Sequence, residues 1–139
     1  MKVKFVYKVL PVLLVQSSLL VPKKFDAKCY GPLIAFKSRY SFNDSALVQH
    51  ELEHSKQSYR LPLLHPLLYK FSKKYRYKSE LDAFTAQLKY YSKEEQINLV
   101  SYFTSKLYQN YNLSSYRTYF EIKTDIVKAL ELNTLGPLA

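Results

Sequence analysis

The sequence predicts a mostly helical α+β fold, and three observations support this class. Apolar and charged residues alternate along residues 1–9, which is typical of a half-buried strand. After residue 44, apolar residues recur at helical spacing almost to the end of the chain. The length of 139 residues matches one compact domain, and a hydrophobic content of 47% is enough to build a core. We therefore expect a single domain over residues 1–139, with a small amino-terminal sheet and a helical remainder.

Residues 1–44 are expected to be rich in strands. The apolar run over residues 9–15 follows a basic start and also resembles a signal peptide for export. Polar residues interrupt this run, no A-x-A cleavage site follows, and the run is too short to span a membrane, so a strand or buried segment is preferred. Residues 29–40 are expected to form a pair of strands or one bent strand.

Residues 45–60 are expected to form a helix. Asn43, Asp44 or Ser45 could each cap its amino terminus, and the sequence does not choose between them. The helix should end just before Pro62, because the residue before a proline disfavours the helical region.

This helix carries the pattern His-Glu-x-x-His at His50, Glu51 and His54. Residues four apart lie only about 40° apart around a helix, so both imidazoles can bind one metal ion. The chain has just three histidines, and two of them fall at this spacing. The pattern predicts a zinc site, with Glu51 beside the metal as a general base.

A zinc site of this type needs a third protein ligand. Residues 79–91 are expected to form a second helix, capped by Ser79, and Glu80 in its first turn is the favoured ligand. Asp82 is the competing ligand, although it is shorter and lies about 200° around the helix from Glu80. His65 could also be a ligand or could stabilise an oxyanion, but its neighbouring prolines favour a surface histidine in a loop.

These motifs resemble the zinc metallopeptidases of the zincin fold, and in particular the gluzincins, whose third ligand is a glutamate. The resemblance rests on His50, Glu51 and His54, followed by the E-x-x-A pattern at Glu80 and Ala83. More loosely, residues 29–90 are similar to small uncharacterised metallopeptidase-like proteins. The resemblance implies a zincin-like domain in which His50, His54 and Glu80 bind Zn²⁺ and Glu51 is catalytic.

The chain departs from related patterns at three positions. Phe84 stands where many gluzincins carry an aspartate, so any role of that aspartate is missing or is filled by Asp82. Gln57 and Arg60 stand where the metzincins carry a glycine and a third histidine, which excludes the metzincins.

Residues 92–139 are expected to form helices that support the site. Ser92 and Glu95 form a predicted capping box at the start of one helix, and a last helix is expected over residues 120–130 before a tail at Gly136-Pro137. The predicted inward stripe of the first helix consists of Ile97, Val100, Phe103 or Thr104, and Leu107.

Composition narrows the classes of function. The single cysteine, Cys29, excludes an intramolecular disulfide and suits a reducing compartment, so a cytoplasmic protein is expected. Two glycines in the whole chain argue against a phosphate-binding loop. The net charge of +10 suggests an anionic partner. The densest group of cations alternates with aromatic residues and consists of Lys70, Lys73, Lys74, Arg76 and Lys78.

Three functions fit the sequence. The first is a zinc-dependent peptidase that hydrolyses a peptide or protein substrate with Glu51 as general base. The second is a zinc-bound but inactive binding protein. The third is a basic nucleic-acid-binding module in which phosphate contacts and stacking rings act together, although a solvated lysine-rich helix is the favoured explanation of the cations. The sequence leaves the cleavage specificity and the oligomeric state open.

Overall fold

The computed structural model describes residues 2–7 and 11–132, which form four strands and six helices. The strands are β1 (Val3–Tyr7), β2 (Pro11–Gln16), β3 (Ala27–Tyr30) and β4 (Leu33–Phe36). The helices are α1 (Arg39–Asn43), α2 (Ser45–Arg60), α3 (Leu64–Phe71), α4 (Lys73–Leu88), α5 (Lys93–Asn110) and α6 (Tyr119–Ala129). The predicted α+β class, mostly helical with a small amino-terminal sheet, is confirmed. Predictions for Met1, for residues 8–10 and for the tail at Gly136-Pro137 lie outside the described residues.

The four strands form one sheet in the order β1-β2-β4-β3. β2 and β4 are parallel and pair Leu14 with Ile34, while the other two pairs are antiparallel. Both of these side chains are buried, as expected for the central strands of a sheet that packs on helices. Gly31 makes the turn between β3 and β4 with a φ of 68°, which L-residues with a Cβ adopt at a cost. The strand pair predicted within residues 29–40 is confirmed for β3 and β4.

The end of that prediction is wrong, because residues 39–43 form helix α1 rather than a strand. Ser38 and Ser41 form a capping box in which each serine hydroxyl accepts from the other residue's backbone N–H, at 3.2 and 3.0 Å. This local pairing satisfies backbone donors and favours a helix start over an extended chain. The first 44 residues therefore contain the whole described sheet and one short helix.

Helix α2 contacts both the sheet and α4, and the buried apolar residues of the described chain form two hydrophobic clusters. Leu52 belongs to the cluster that α2 forms with the sheet, whereas Phe84 and Leu88 of α4 belong to the cluster that α4 forms with α5 and α6. Asp44 is the residue that caps α2, since its carboxylate accepts from the backbone N–H of Leu47 at 3.1 Å. The predicted bounds of α2, residues 45–60, are confirmed.

Three predictions for the segments that form α3 and α4 are wrong. The segment around His65 was expected to be a loop, but it forms α3, since Pro66 falls in the first turn where a helix tolerates proline. Helix α4 begins at Lys73 with Ser72 as its N-cap, so Ser79 lies in mid-helix and does not cap it. Helix α4 also ends at Leu88 rather than at residue 91.

The carboxy-terminal helices follow the prediction closely. The capping box of Ser92 and Glu95 begins α5 as expected. Ile97 is an exception to the predicted stripe, because it is 39% exposed while Gln96 is buried and donates to the carbonyl of Tyr91. Within the described ranges, no helix combines the length and the apolar character needed to cross a bilayer.

Candidate metal centre

Helices α2 and α4 bring three buried side chains together. The Nε2 atom of His54 lies 3.3 Å from one carboxylate oxygen of Glu80, and the Nε2 atom of His50 lies 3.6 Å from the other. The ligand atoms of all three residues lie within 4.8 Å of one another. The exposed fractions of His50, His54 and Glu80 are 4%, 8% and 2%. His50, His54 and Glu80 therefore form a buried group that could hold a metal ion, and they are the three ligands that the sequence predicted.

The hydrogen bonds of the group fit a cation at its centre. Among the described residues, the Oε2 atom of Glu80 and the Nδ1 atom of His50 have no hydrogen-bond partner although both are buried. Leaving such atoms unpaired costs about 1–3 kcal/mol each. A cation between the two imidazoles and the carboxylate would offset the cost of burying the Oε2 atom of Glu80 without a partner. The imidazole nitrogens and the carboxylate oxygens can all donate an electron pair to such a cation.

His54 is held in the orientation that a metal ligand requires. Its Nδ1 atom lies 3.1 Å from the Oε1 atom of Gln57 and 3.3 Å from the hydroxyl of Ser79. Gln57 is itself fixed, since its amide donates to the backbone carbonyl of Ser79 at 3.1 Å and its Oε1 accepts from the hydroxyl of Ser79 at 2.5 Å. A proton on Nδ1 can donate to either acceptor, so in the neutral form of His54 the lone pair lies on Nε2, on the side of Glu80.

The charges of His54 and Glu80 shift one another's pKa values in opposite directions. Burial by itself would raise the pKa of Glu80, but the adjacent charge of His54 and the closeness of both imidazoles to its carboxylate lower it below the ordinary value. Burial would likewise lower the pKa of His54, and the carboxylate of Glu80 outweighs this and raises it. The protein surroundings of Glu80 therefore favour its ionised form, which is the form that binds metals.

Glu51 lies on α2, as His50 and His54 do, and it lines the same pocket as the three residues of the group. It is only 6% exposed. Burial raises the pKa of Glu51, and the charges of the two histidines oppose that rise. A carboxylate with a raised pKa is better matched to taking up a proton near neutral pH.

An open pocket of about 540 Å³ gives access to these side chains. Residues of β3, including Lys28 and Cys29, form one wall, and Tyr69 of α3 lines another. The hydroxyl of Tyr69 donates to Glu80 through a short hydrogen bond. Burial, followed by the negative charge of Glu80, raises the pKa values of Tyr69 and Tyr111, so both phenols stay protonated. The sequence predicted neither residue, because nothing distinguishes them among fourteen tyrosines.

His65 lies at the pocket and is not the loop histidine that was expected. Its Nδ1 atom lies 2.8 Å from the hydroxyl of Tyr75, and burial lowers the pKa of His65. Within the described residues it is not part of the three-residue group that could hold a metal.

The remaining candidates fall outside the group. Asp82, the competing ligand, is exposed. Phe84 occupies the position at which many gluzincins carry an aspartate, and its ring packs against His50 at a centroid distance of 4.5 Å. The ring of Phe84 thus limits the movement of His50 through packing, in place of a hydrogen bond from an aspartate.

The cationic cluster is only partly free to bind a partner. Arg76 donates to the backbone carbonyls of Tyr69, Lys70 and Tyr111, which ties the end of α3 to α4 and α5. Lys73 donates to the hydroxyl of Ser115. Lys70, Lys74 and Lys78 are exposed.

The scan of protein-family models finds no match to this chain, and the comparisons with curated proteins and with solved structures also find none. The resemblance to the gluzincins therefore rests on the residues of the motifs alone.

Proposed function

We propose that the protein is a zinc-dependent peptidase of the His-Glu-x-x-His type. The observation that carries this proposal is the position of Glu51, a buried carboxylate that lines the same pocket as His50, His54 and Glu80. A structural metal that only joined α2 to α4 would need neither an adjacent pocket nor an adjacent base. Two histidines and one carboxylate are the ligand set of several zinc hydrolases.

His50, His54 and Glu80 would hold the zinc ion. Zinc would supply a Lewis acid that polarises a peptide carbonyl and makes water easier to deprotonate. Glu51 would accept a proton from the attacking water while the oxygen of that water bonds to the carbonyl carbon. Glu51 would then donate this proton to the amine as the carbon–nitrogen bond breaks. Tyr69 keeps its proton and positions Glu80 through its hydrogen bond.

Strand β3 supports an extended peptide as the substrate. It is at the edge of the sheet, and it lines the pocket with Lys28, Cys29 and Tyr30. The exposed edge of a strand can pair with an extended chain through backbone hydrogen bonds. A peptide bound in this way would pass beside Glu51.

The test is the substitution Glu51→Gln, assayed with fluorescein-labelled casein and with a mixture of synthetic peptides analysed by mass spectrometry. We expect the variant to retain zinc and to lose at least about 100-fold in hydrolysis, since it lacks the base. Glu53→Gln is the matched control, because Glu53 lies on the same helix and pairs with Lys56 at 3.0 Å instead of lining the pocket. This control should retain full hydrolysis.

The same assay separates the peptidase from an inactive zinc protein. Zinc binding without hydrolysis by the unmodified chain would support the inactive form, in which the metal only joins α2 to α4. Equal hydrolysis by the unmodified chain and by Glu51→Gln would contradict the proposed role of Glu51.

A further inference from the structure

Helix α3 and its N-cap residue, Leu63, carry a row of exposed apolar side chains that the metal centre does not use. We call it the apolar ridge, and it consists of Leu63, Leu64, Leu67 and Phe71, which are 84%, 54%, 54% and 74% exposed. No residue of α3 is buried. The other exposed large apolar residues of the described chain are scattered, and no other stretch of nine residues contains four of them.

The spacing of these residues makes the ridge continuous. Leu64, Leu67 and Phe71 are three and four residues apart, so they lie on one face of the helix. His65 and Tyr69 are four apart on another face, and both line the pocket. Helix α3 therefore has one face toward the pocket and an apolar face toward solvent, an arrangement that often marks an interaction surface.

Lysines border the apolar ridge. The Nζ atom of Lys70 lies 5.4 Å from the centre of the Phe71 ring. Lys74 follows in the first turn of α4 and is exposed. The net charge of +10 opposes close approach of a second copy of the chain and favours an anionic partner. A protruding apolar row with adjacent cations suits a deformable anionic surface, which needs no complementary groove.

We propose that the apolar ridge docks the protein on an anionic lipid membrane. Leu64, Leu67 and Phe71 would enter the boundary between headgroups and acyl chains, while Lys70 and Lys74 would contact lipid phosphates. The inference does not depend on zinc or on peptidase activity, because none of these five residues lines the metal pocket.

The test measures co-sedimentation of the full chain with vesicles at low salt. Vesicles of equimolar phosphatidylcholine and phosphatidylglycerol should bind the protein, whereas vesicles of phosphatidylcholine alone should bind it far more weakly. Phe71→Asp should weaken binding by at least about tenfold, because it removes a large apolar group from the membrane boundary. Lys70→Gln and Lys74→Gln should each weaken binding by roughly fivefold.

Phe120→Asp is the matched control, since Phe120 is 61% exposed but lies on α6 and is not part of the apolar ridge. It should bind within about twofold of the unmodified chain, as expected for a surface residue outside the apolar ridge. Absence of binding to the anionic vesicles, equal binding to both vesicle types, or binding that Phe71→Asp leaves unchanged would each overturn the proposal. Sedimentation velocity without lipid tests whether a second copy of the chain covers the apolar ridge instead. Dimerisation that Phe71→Asp abolishes would assign the apolar ridge to that second copy and overturn membrane docking.

Discussion

Gln57 provides a sharp test of the metal centre, because it contacts His54 without being a proposed ligand. Its side chain makes two hydrogen bonds with Ser79 and a third with the Nδ1 atom of His54. The substitution Gln57→Ala removes all three. At about 1 kcal/mol for each bond, the free energy of unfolding should fall by roughly 2–4 kcal/mol.

The substitution Gln57→Ala should also weaken metal binding. Without Gln57, the Nδ1 atom of His54 keeps only the longer contact with Ser79, so the tautomer and orientation of the imidazole are less well defined. Loss of such a partner of a ligating histidine typically weakens metal binding by 10–100-fold. This range corresponds to about 1.4–2.7 kcal/mol of binding free energy.

Gln87→Ala is the matched control for this prediction. Gln87 is 8% exposed, as Gln57 is, and it lies on α4, whereas the Nδ1 atom of His54 is contacted by Gln57 and Ser79. Zinc affinity would be measured by competition with a chromogenic chelator, and stability by urea unfolding followed by circular dichroism. If Gln57→Ala and Gln87→Ala have the same zinc affinity, the inferred support of His54 is wrong.

Three further predictions concern the rest of the molecule. Gly31→Ala should lower the free energy of unfolding by about 1–2 kcal/mol, since no atom lies within 4 Å of the added Cβ and only the φ of 68° opposes it; an unchanged urea midpoint would contradict this. Burial raises the pKa of Cys29 to about 12, so at about pH 8 the metal-free folded chain should react with iodoacetamide roughly 1000-fold more slowly than the chain unfolded in urea, and equal rates would refute it. Leu107→Ala should cost about 2–5 kcal/mol in urea unfolding because Leu107 is fully buried, whereas Leu19→Ala, at a position 95% exposed, should cost less than about 0.5 kcal/mol.

The parts of the site that the sequence predicts are those set by helical periodicity. His50 and His54 are four residues apart, and any helix over residues 45–60 places them on one face. Glu80 was predictable in part, since its reach and the family pattern favoured it over Asp82. The structure places Glu80 between the histidines and leaves Asp82 exposed.

The parts that the sequence did not predict depend on contacts between distant segments. Ser79 looked like a helix cap, but helix α4 extends six residues further toward the amino terminus, and the serine instead holds Gln57 from the neighbouring helix. Tyr69 reaches Glu80 only because α3 packs against α4. Nothing in local composition distinguishes such a tyrosine or serine from others of its kind, so only the tertiary fold identifies them.

The most direct test of the central claim is the zinc content of the purified protein, measured by elemental analysis together with native mass spectrometry. We expect about one zinc ion per chain in the unmodified protein and in Asp82→Asn, and almost none in His54→Ala or Glu80→Gln. An unmodified chain that binds no zinc when titrated with the metal, or a Glu80→Gln variant that binds it as tightly as the unmodified chain, would contradict the account.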